Sequence, residues 1–94
     1  MYSIFGFYKF KKLTTLKDKK KILDSLFTKK NIRGTIIISN EGLNGTISFK
    51  SNKFNNIIEC LKKIFNIKKF DNENLSKYKF QAFHKGKIKI KSEL

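Results

Sequence analysis

The residues best suited to chemistry in this 94-residue sequence are three lysines that alternate with isoleucines near its end. In residues 87–91 the lysines take every second position, with Ile88 and Ile90 between them. Alternate residues of a strand point to opposite sheet faces, so the lysines are expected to form a positive ribbon spaced about 7 Å apart. Such a ribbon suits phosphate groups, although lysines also guard exposed sheet edges against pairing. The phosphate-binding candidates are Arg33, Lys87, Lys89 and Lys91.

A second candidate feature is the polar stretch Asn40-Glu-Gly-Leu-Asn-Gly45, which lies between two strand-like runs. Residues 35–39 are β-branched up to Ser39, and residues 46–49 alternate in character, so both are predicted to be strands. Glycines and asparagines supply the positive φ angles that hairpin turns need. The stretch therefore suits a simple hairpin, or a loop held in one shape by side-chain hydrogen bonds. The loop-shaping candidates are Glu41, Gly42, Asn44 and Gly45.

Several other kinds of site have no support in the sequence. The single cysteine, Cys60, and the single histidine, His84, lie in distant segments, so neither a metal site nor a nucleophilic triad is predicted. No phosphate loop or dinucleotide fingerprint occurs, and we expect no cofactor. Residues 11–14 lack the arginine and glycine of an acylphosphatase anion cradle. Stacking aromatics of an RNA-recognition motif would require Phe49 to face outward.

The net charge of +15 favours a nucleic acid as partner. Lysine accounts for 21 of the 22 basic residues, so drift toward AT-rich codons is a competing explanation for the choice of lysine over arginine. Drift does not require that only seven acidic residues be present. No apolar run is long enough to span a membrane, and the one cysteine fits a reducing cytosol.

The predicted elements alternate in the order strand, helix, strand, strand, helix, strand. The first strand covers residues 3–10, and a helix capped by Thr15 follows and ends at Asn31. A second helix, capped by Ser51, has apolar residues at helical spacing, and the alternating lysine run supplies the last strand. This order predicts a ferredoxin-like split βαβ fold, in which two helices cover one face of a four-stranded antiparallel sheet. The predicted core comprises Leu23, Leu26, Ile36, Ile38, Phe54, Ile57 and Leu61.

The opposite sheet face is expected to keep exposed apolar surface. Phe5 and Phe7 fall on one side of the first strand, whereas Ile4, Tyr8 and Phe10 fall on the other. Since the helices cover one side only, the second aromatic set indicates contact with another domain or molecule.

Two motifs together resemble one known family. Residues 34–47 resemble the pattern Gly-Thr-Ile-Leu-x-Ala-x-Glu-Gly-Ile-Asn-Gly-Thr of the TrhO (YceA) family, the rhodanese-related oxygen-dependent tRNA uridine hydroxylases. Residues 83–94 resemble that family's Phe-His-Arg-Met-Lys-Val-Arg-Leu-Lys-Lys-Glu-Ile. The two matches occur in the right order and separation, and they cover essentially the whole chain.

The resemblance implies that residues 1–94 are an acylphosphatase-like N-terminal domain. In the family such a domain precedes a rhodanese domain that carries an essential cysteine, and that second domain is absent from these residues. The resemblance further implies a cytoplasmic parent oxidoreductase that acts on tRNA, with the rhodanese domain as a partner. Cys60 does not correspond to the catalytic cysteine, so this chain alone is expected to be inactive.

Two functional hypotheses follow. In the first, the chain is an accessory domain of a tRNA-modifying hydroxylase, where it binds or positions tRNA or braces the catalytic domain. In the second, it is a free-standing, non-catalytic domain of the same fold that interacts with RNA or protein.

Overall fold

Two layers make up the fold, a five-stranded sheet and a pair of helices packed against one of its faces. The computed structural model describes residues 1–94. In chain order the elements are β1 (Tyr2–Phe10), α1 (Leu16–Lys30), β2 (Arg33–Ser39), β3 (Gly42–Lys50), a 3-10 turn (Ser51–Lys53), α2 (Phe54–Phe65), β4 (Asn72–Tyr78) and β5 (Gly86–Ile90).

The sheet order is β4-β1-β3-β2-β5. Antiparallel pairing joins β1 to β3, β1 to β4, and β2 to β3, and it includes the pairs Phe5↔Ile47 and Ile36↔Gly45. β5 pairs with β2 in parallel. The ferredoxin-like arrangement is therefore confirmed, but the sheet has five strands where four antiparallel ones were predicted.

The core lies between the sheet and the helices. Eighteen buried apolar residues form one cluster, which includes Phe5 and Phe7 from β1 and Ile57 and Leu61 from α2. Six of the seven predicted core residues belong to it, and the seventh, Phe54, is partly buried against it. Stacked and edge-on contacts between phenylalanine rings fill the space under β1.

Both helices form where predicted, and Thr15 is the N-cap residue of α1 as predicted. The prediction that Ser51 caps α2 is wrong, since Lys53 takes that position. Thr15 adopts a left-handed conformation with φ of 51° and makes no capping bond from its side chain. Its hydroxyl instead donates to the carbonyl oxygen of Thr14. Ser51 lies in the 3-10 turn, where its hydroxyl bonds that of Ser3 at 2.8 Å. Asn31 ends α1 as predicted, in a left-handed conformation typical of helix C-termini.

The prediction missed β4, since residues 71–74 were expected to form a polar connection. Every residue of β4 is exposed, so its sequence lacks the apolar alternation that indicates a strand. Its order comes from backbone pairing along β1, from Tyr8↔Asn72 to Tyr2↔Tyr78. The alternating lysine run is a fifth strand, in which Ile88 is buried. Ile90 was expected to face the core but is 40% exposed, because it lies at the end of an edge strand.

The hairpin between β2 and β3 is shorter than predicted. Only Asn40 and Glu41 form the turn, and Ser39 pairs directly with Gly42. Gly42 has a φ of 144°, as predicted for a glycine at the turn. Asn44 and Gly45, by contrast, were also expected to have positive φ, but both lie inside β3 and neither has it. A Cβ at Gly45 would meet the Phe7 ring at 2.9 Å, so this glycine serves close packing rather than a turn.

Candidate nucleic-acid interface

The sheet face that the helices leave uncovered, here called the outer face, carries the candidate site. Because paired residues share a face, the strand register arranges their side chains in rows across the sheet. One row runs Asn74, Gly6, Thr46, Thr35, Lys87 from β4 to β5. The next row runs Asn72, Tyr8, Asn44, Ile37, Lys89. Each row thus begins with an amide at one sheet edge and ends with a lysine at the other.

The lysines of β5 lie on the outer face, as the alternation predicted. Lys87 is exposed beside Thr35, and Lys89 is half-buried beside Ile37. Lys91 follows β5 directly, and its backbone N–H extends the ladder with a 2.9 Å bond to the carbonyl of Ile38. The three lysines therefore line one sheet edge.

Arg33 lies at the opposite end of that edge from the hairpin. Five strand residues lie between it and Ser39, so the two ends of β2 are about 20 Å apart. Its guanidinium donates a 3.3 Å hydrogen bond to the carbonyl oxygen of Phe83. Lys91 lies at the hairpin end, because β5 runs parallel to β2 and Ile90 pairs with Ile38. The four candidate cations thus extend along the whole edge and do not gather at the loop.

An open concavity of about 800 Å³, here called the trough, lies beside these cations in the middle of the outer face. Gly6 leaves its floor low, and Asn44 and Thr46 give that floor polar side chains. Aromatic rings and apolar side chains stand around it. The lining side chains discussed below are Tyr8, Phe10, Asn44, Asn72, Asn74 and Phe83.

The connection from β4 to β5 closes one side of the trough. It must cross β1, β3 and β2, because its two strands lie at opposite edges of the sheet. Gln81 anchors the crossing, since its amide nitrogen donates to the carbonyl oxygens of Asn31 at 2.9 Å and Ser48 at 3.1 Å. Phe83, with φ of 68°, then reaches the trough. Sequence reasoning missed this crossover, and with it Asn72 and Asn74, because β4 itself carried no apolar signal.

Asp71 fixes the other side of the trough near Phe10. Its carboxylate accepts a 2.7 Å hydrogen bond from the backbone N–H of Phe10 and a 3.3 Å bond from the Lys9 ammonium. The backbone bond, with help from Lys9 and Lys69, holds the pKa of Asp71 below its ordinary value. The charged carboxylate therefore connects the end of β1 to the residue that precedes β4, next to Phe10.

The hairpin candidates shape the fold rather than the trough, apart from Asn44 and Gly45. Glu41 donates its backbone N–H to the hydroxyl of Ser39 at 3.0 Å, and its carbonyl accepts from the N–H of Lys11. The turn thereby holds the connection between β1 and α1. The ammonium of Lys11 bonds the carbonyls of Phe65 and Asn66 at the end of α2, at 3.1 and 2.6 Å. That cation is thus engaged within the protein.

The single thiol of the chain lies away from the outer face. Cys60 is in α2, partly buried against the core on the opposite side of the sheet. Phe49 is fully buried, so β3 presents no aromatic ring to the outer face.

No group of three or more histidine, cysteine, aspartate or glutamate side chains is placed to hold a metal ion. Neither helix is long and apolar enough to cross a membrane.

Solved structures with the same arrangement belong to diverse proteins. Full-length HypF in its phosphate- and nucleotide-bound form matches 99% of this chain and 12% of its own, with a TM-score of 0.67 and 13% identity. BlrP1 BLUF matches 96% of this chain and 65% of its own, with a TM-score of 0.57 and 10% identity. At these identities the likeness shows the fold alone.

Sequence relatives are more specific. A tRNA uridine(34) hydroxylase of Pelagibacter ubique (strain HTCC1062) is 62% identical over 94 residues, which are all of this chain and 31% of the relative. Proteins of the same name from Wolbachia sp. subsp. Brugia malayi (strain TRS) and Prochlorococcus marinus subsp. pastoris (strain CCMP1986 / NIES-2087 / MED4) are each 33% identical. They match 99% and 98% of this chain, and 34% and 29% of their own lengths. The chain thus spans about a third of the relatives it matches. Residues 2–94 match the UPF0176 acylphosphatase like domain, and the chain belongs to that family.

Proposed function

We propose that this chain is the N-terminal accessory domain of an enzyme that hydroxylates uridine in tRNA, and that its outer face binds or positions the tRNA. The observation that carries the proposal is the 62% identity to a tRNA uridine(34) hydroxylase over all 94 residues. A tRNA substrate implies work in the cytoplasm. The chain matches only part of each relative, so the chemistry itself is assigned to the rest of such an enzyme.

The charge of the outer face supports contact with RNA. Lys87 and Lys89 on β5 are separated from the polar floor of the trough on β3 only by β2. The whole chain carries a net charge of +15. Lysine side chains bind phosphates as point charges and release the counterions that surround a nucleic acid. Such interactions give binding that depends little on sequence and weakens as salt rises.

A second candidate role for the outer face is to brace a rhodanese domain of the parent enzyme. The specific observation in its favour is the exposed apolar surface, since Phe10 is 64% and Phe83 43% exposed. Surfaces of this kind commonly contact another domain. The length of the native reading frame distinguishes both roles from a free-standing interaction domain.

Replacement of the two β5 lysines and of Lys91, here called the β5 variant, tests tRNA binding. The triple variant Lys87→Gln, Lys89→Gln, Lys91→Gln removes three positive charges from one sheet edge. We expect weaker tRNA binding, with a log–log salt slope that is shallower by about 0.7–0.9 for each phosphate that the variant no longer neutralises. The measurement is a titration of tRNA at two salt concentrations.

A matched control removes the same charge from the helix layer. Lys17, Lys21 and Lys29 are exposed on α1, on the other side of the sheet, and their replacement with glutamine should leave the salt slope unchanged. Equal weakening in both triple variants would mean that net charge alone drives binding. An unchanged slope and affinity in the β5 variant would show that these lysines serve only to guard the sheet edge.

A further inference from the structure

We propose that the trough holds unpaired bases of single-stranded RNA, which stack on Tyr8 and Phe10 while asparagine amides bond their edges. The inference rests on the proposed function in taking RNA as the ligand. It goes further by assigning the conformation of that RNA and the side chains that contact its bases. Three features of the outer face carry it.

The first feature is a pair of aromatic side chains on the outer side of β1. Tyr8 is 38% and Phe10 64% exposed, and their ring centroids lie 5.4 Å apart at an interplanar angle of 63°. In this edge-to-face arrangement the edge of one ring contacts one face of the other, and the rings do not stack face to face. Phe5 and Phe7, on the inner side of the same strand, are buried with the core. β1 thus provides a stacking surface that β3 lacks, and aromatic faces accept any base.

The second feature is a set of amides with no partner inside the protein. The side-chain amides that do form hydrogen bonds belong to Asn31 and Gln81. Those of Asn44, Asn72 and Asn74 line the trough without such bonds. An amide offers two donors and an acceptor, which matches the mixed donors and acceptors on a base edge.

The third feature is the position of positive charge relative to the bases. Lys87 and Lys89 lie at the β5 end of the two rows that cross the trough. The one acidic residue of the lining, Glu73, lies on β4 at the far edge. A strand whose bases enter the trough can therefore lay its phosphates toward β5. In a duplex the bases are stacked inside and cannot reach rings on a sheet surface, so the arrangement favours single-stranded RNA.

The experiment compares two RNA probes and two aromatic variants. The probes are a labelled single strand of about ten nucleotides and the same strand annealed to its complement. Tyr8→Leu and Phe10→Leu each remove a ring while keeping an apolar side chain. We expect single-strand affinity to fall roughly tenfold in each variant, with an unchanged salt slope and unchanged duplex affinity. The matched control is Phe80→Leu, since Phe80 is 81% exposed but lies outside the trough.

Each other outcome overturns the inference in a distinguishable way. If both leucine variants bind like the unaltered chain while the β5 variant binds weakly, RNA follows the lysines only, and the proposed function survives. Equal affinity of the unaltered chain for duplex and single strand contradicts an unpaired ligand. If the chain dimerises in the absence of RNA and Phe10→Leu dissociates the dimer, the outer face binds a second copy of the chain and not RNA. No binding of any RNA, tRNA included, rejects both this inference and the tRNA-binding role.

Discussion

Two glycines of the hairpin stretch, Gly42 and Gly45, were both predicted to be needed for a turn, but the structure needs them for different reasons. Gly42 and Gly45 both belong to the hairpin stretch, yet only Gly42 has the positive φ expected of a turn. Gly45 is required because the Phe7 ring lies over it across the strand pair. That reason depends on which strand pairs with β3 and in which register, and neither is encoded within a few residues of Gly45.

A pair of glycine substitutions tests the backbone requirement at Gly42. A Cβ there would run into the backbone carbonyl of Lys9, and the positive φ adds strain for any L side chain. We expect Gly42→Ala to lower the free energy of unfolding by about 1–3 kcal/mol from backbone strain, and the clash with the carbonyl adds to this loss. At Gly6 a Cβ would meet only the flexible Asn74 side chain, at 3.2 Å.

The control variant Gly6→Ala should change the free energy of unfolding by less than about 1 kcal/mol, since alanine also restricts the unfolded chain. Denaturant titrations of both variants provide the comparison. Similar stabilities for the two would show that β1 and β3 do not approach as closely at Gly42 as described.

At the level of elements, strong apolar periodicity led to correct prediction of a helix, whereas a strand without such periodicity was missed. The stripe on α2 predicted the helix and the residues it buries, including Ile57, Leu61 and Phe65. β4 has no such pattern, because an exposed edge strand is held by its backbone bonds to β1 rather than by side-chain burial. Alternation predicted that the lysines and isoleucines of β5 lie on opposite faces of the sheet. The parallel pairing of β5 with β2 was not predictable, because it depends on the crossover after Tyr78.

Truncation of Leu61 measures the contribution of the α2 stripe. The side chain is fully buried between α2 and the sheet, so Leu61→Ala removes apolar packing and leaves a cavity. We expect the free energy of unfolding to fall by about 2–5 kcal/mol. Glu59→Ala, at an exposed position of the same helix, should stay within about 0.5 kcal/mol. A change that small at Leu61 would place that residue on the surface.

On the scale of the whole molecule, the sheet separates two chemical environments. One side holds the core and both helices, and the other holds the trough and the lysine edge. Sequence alone predicted the lysines and the outer aromatic set of β1, because strand alternation assigns both to a face. The grouping of Asn44, Asn72 and Asn74 at the trough and the crossover required the order β4-β1-β3-β2-β5, which brings residues from both ends of the chain together.

This separation bears on Cys60, the only thiol. It lies in α2 with part of its surface against the core, whereas the proposed RNA surface is on the far side of the sheet. A thiol attacks as its thiolate, which usually requires a nearby basic partner or cation to lower its pKa. No side-chain hydrogen bond or ion pair involves Cys60. We therefore expect this chain alone to show no uridine hydroxylation or sulfur transfer.

The measurement is modification of unmodified tRNA by the 94-residue chain, with cell extract supplying any missing components. Cys60→Ser should behave like the unaltered chain in this assay and in tRNA titration, because the thiol acts only as a small apolar filler. Turnover that the serine variant abolishes would make Cys60 a nucleophile. It would also require RNA to reach the helix layer, and the Tyr8 and Phe10 variants would then leave that turnover intact.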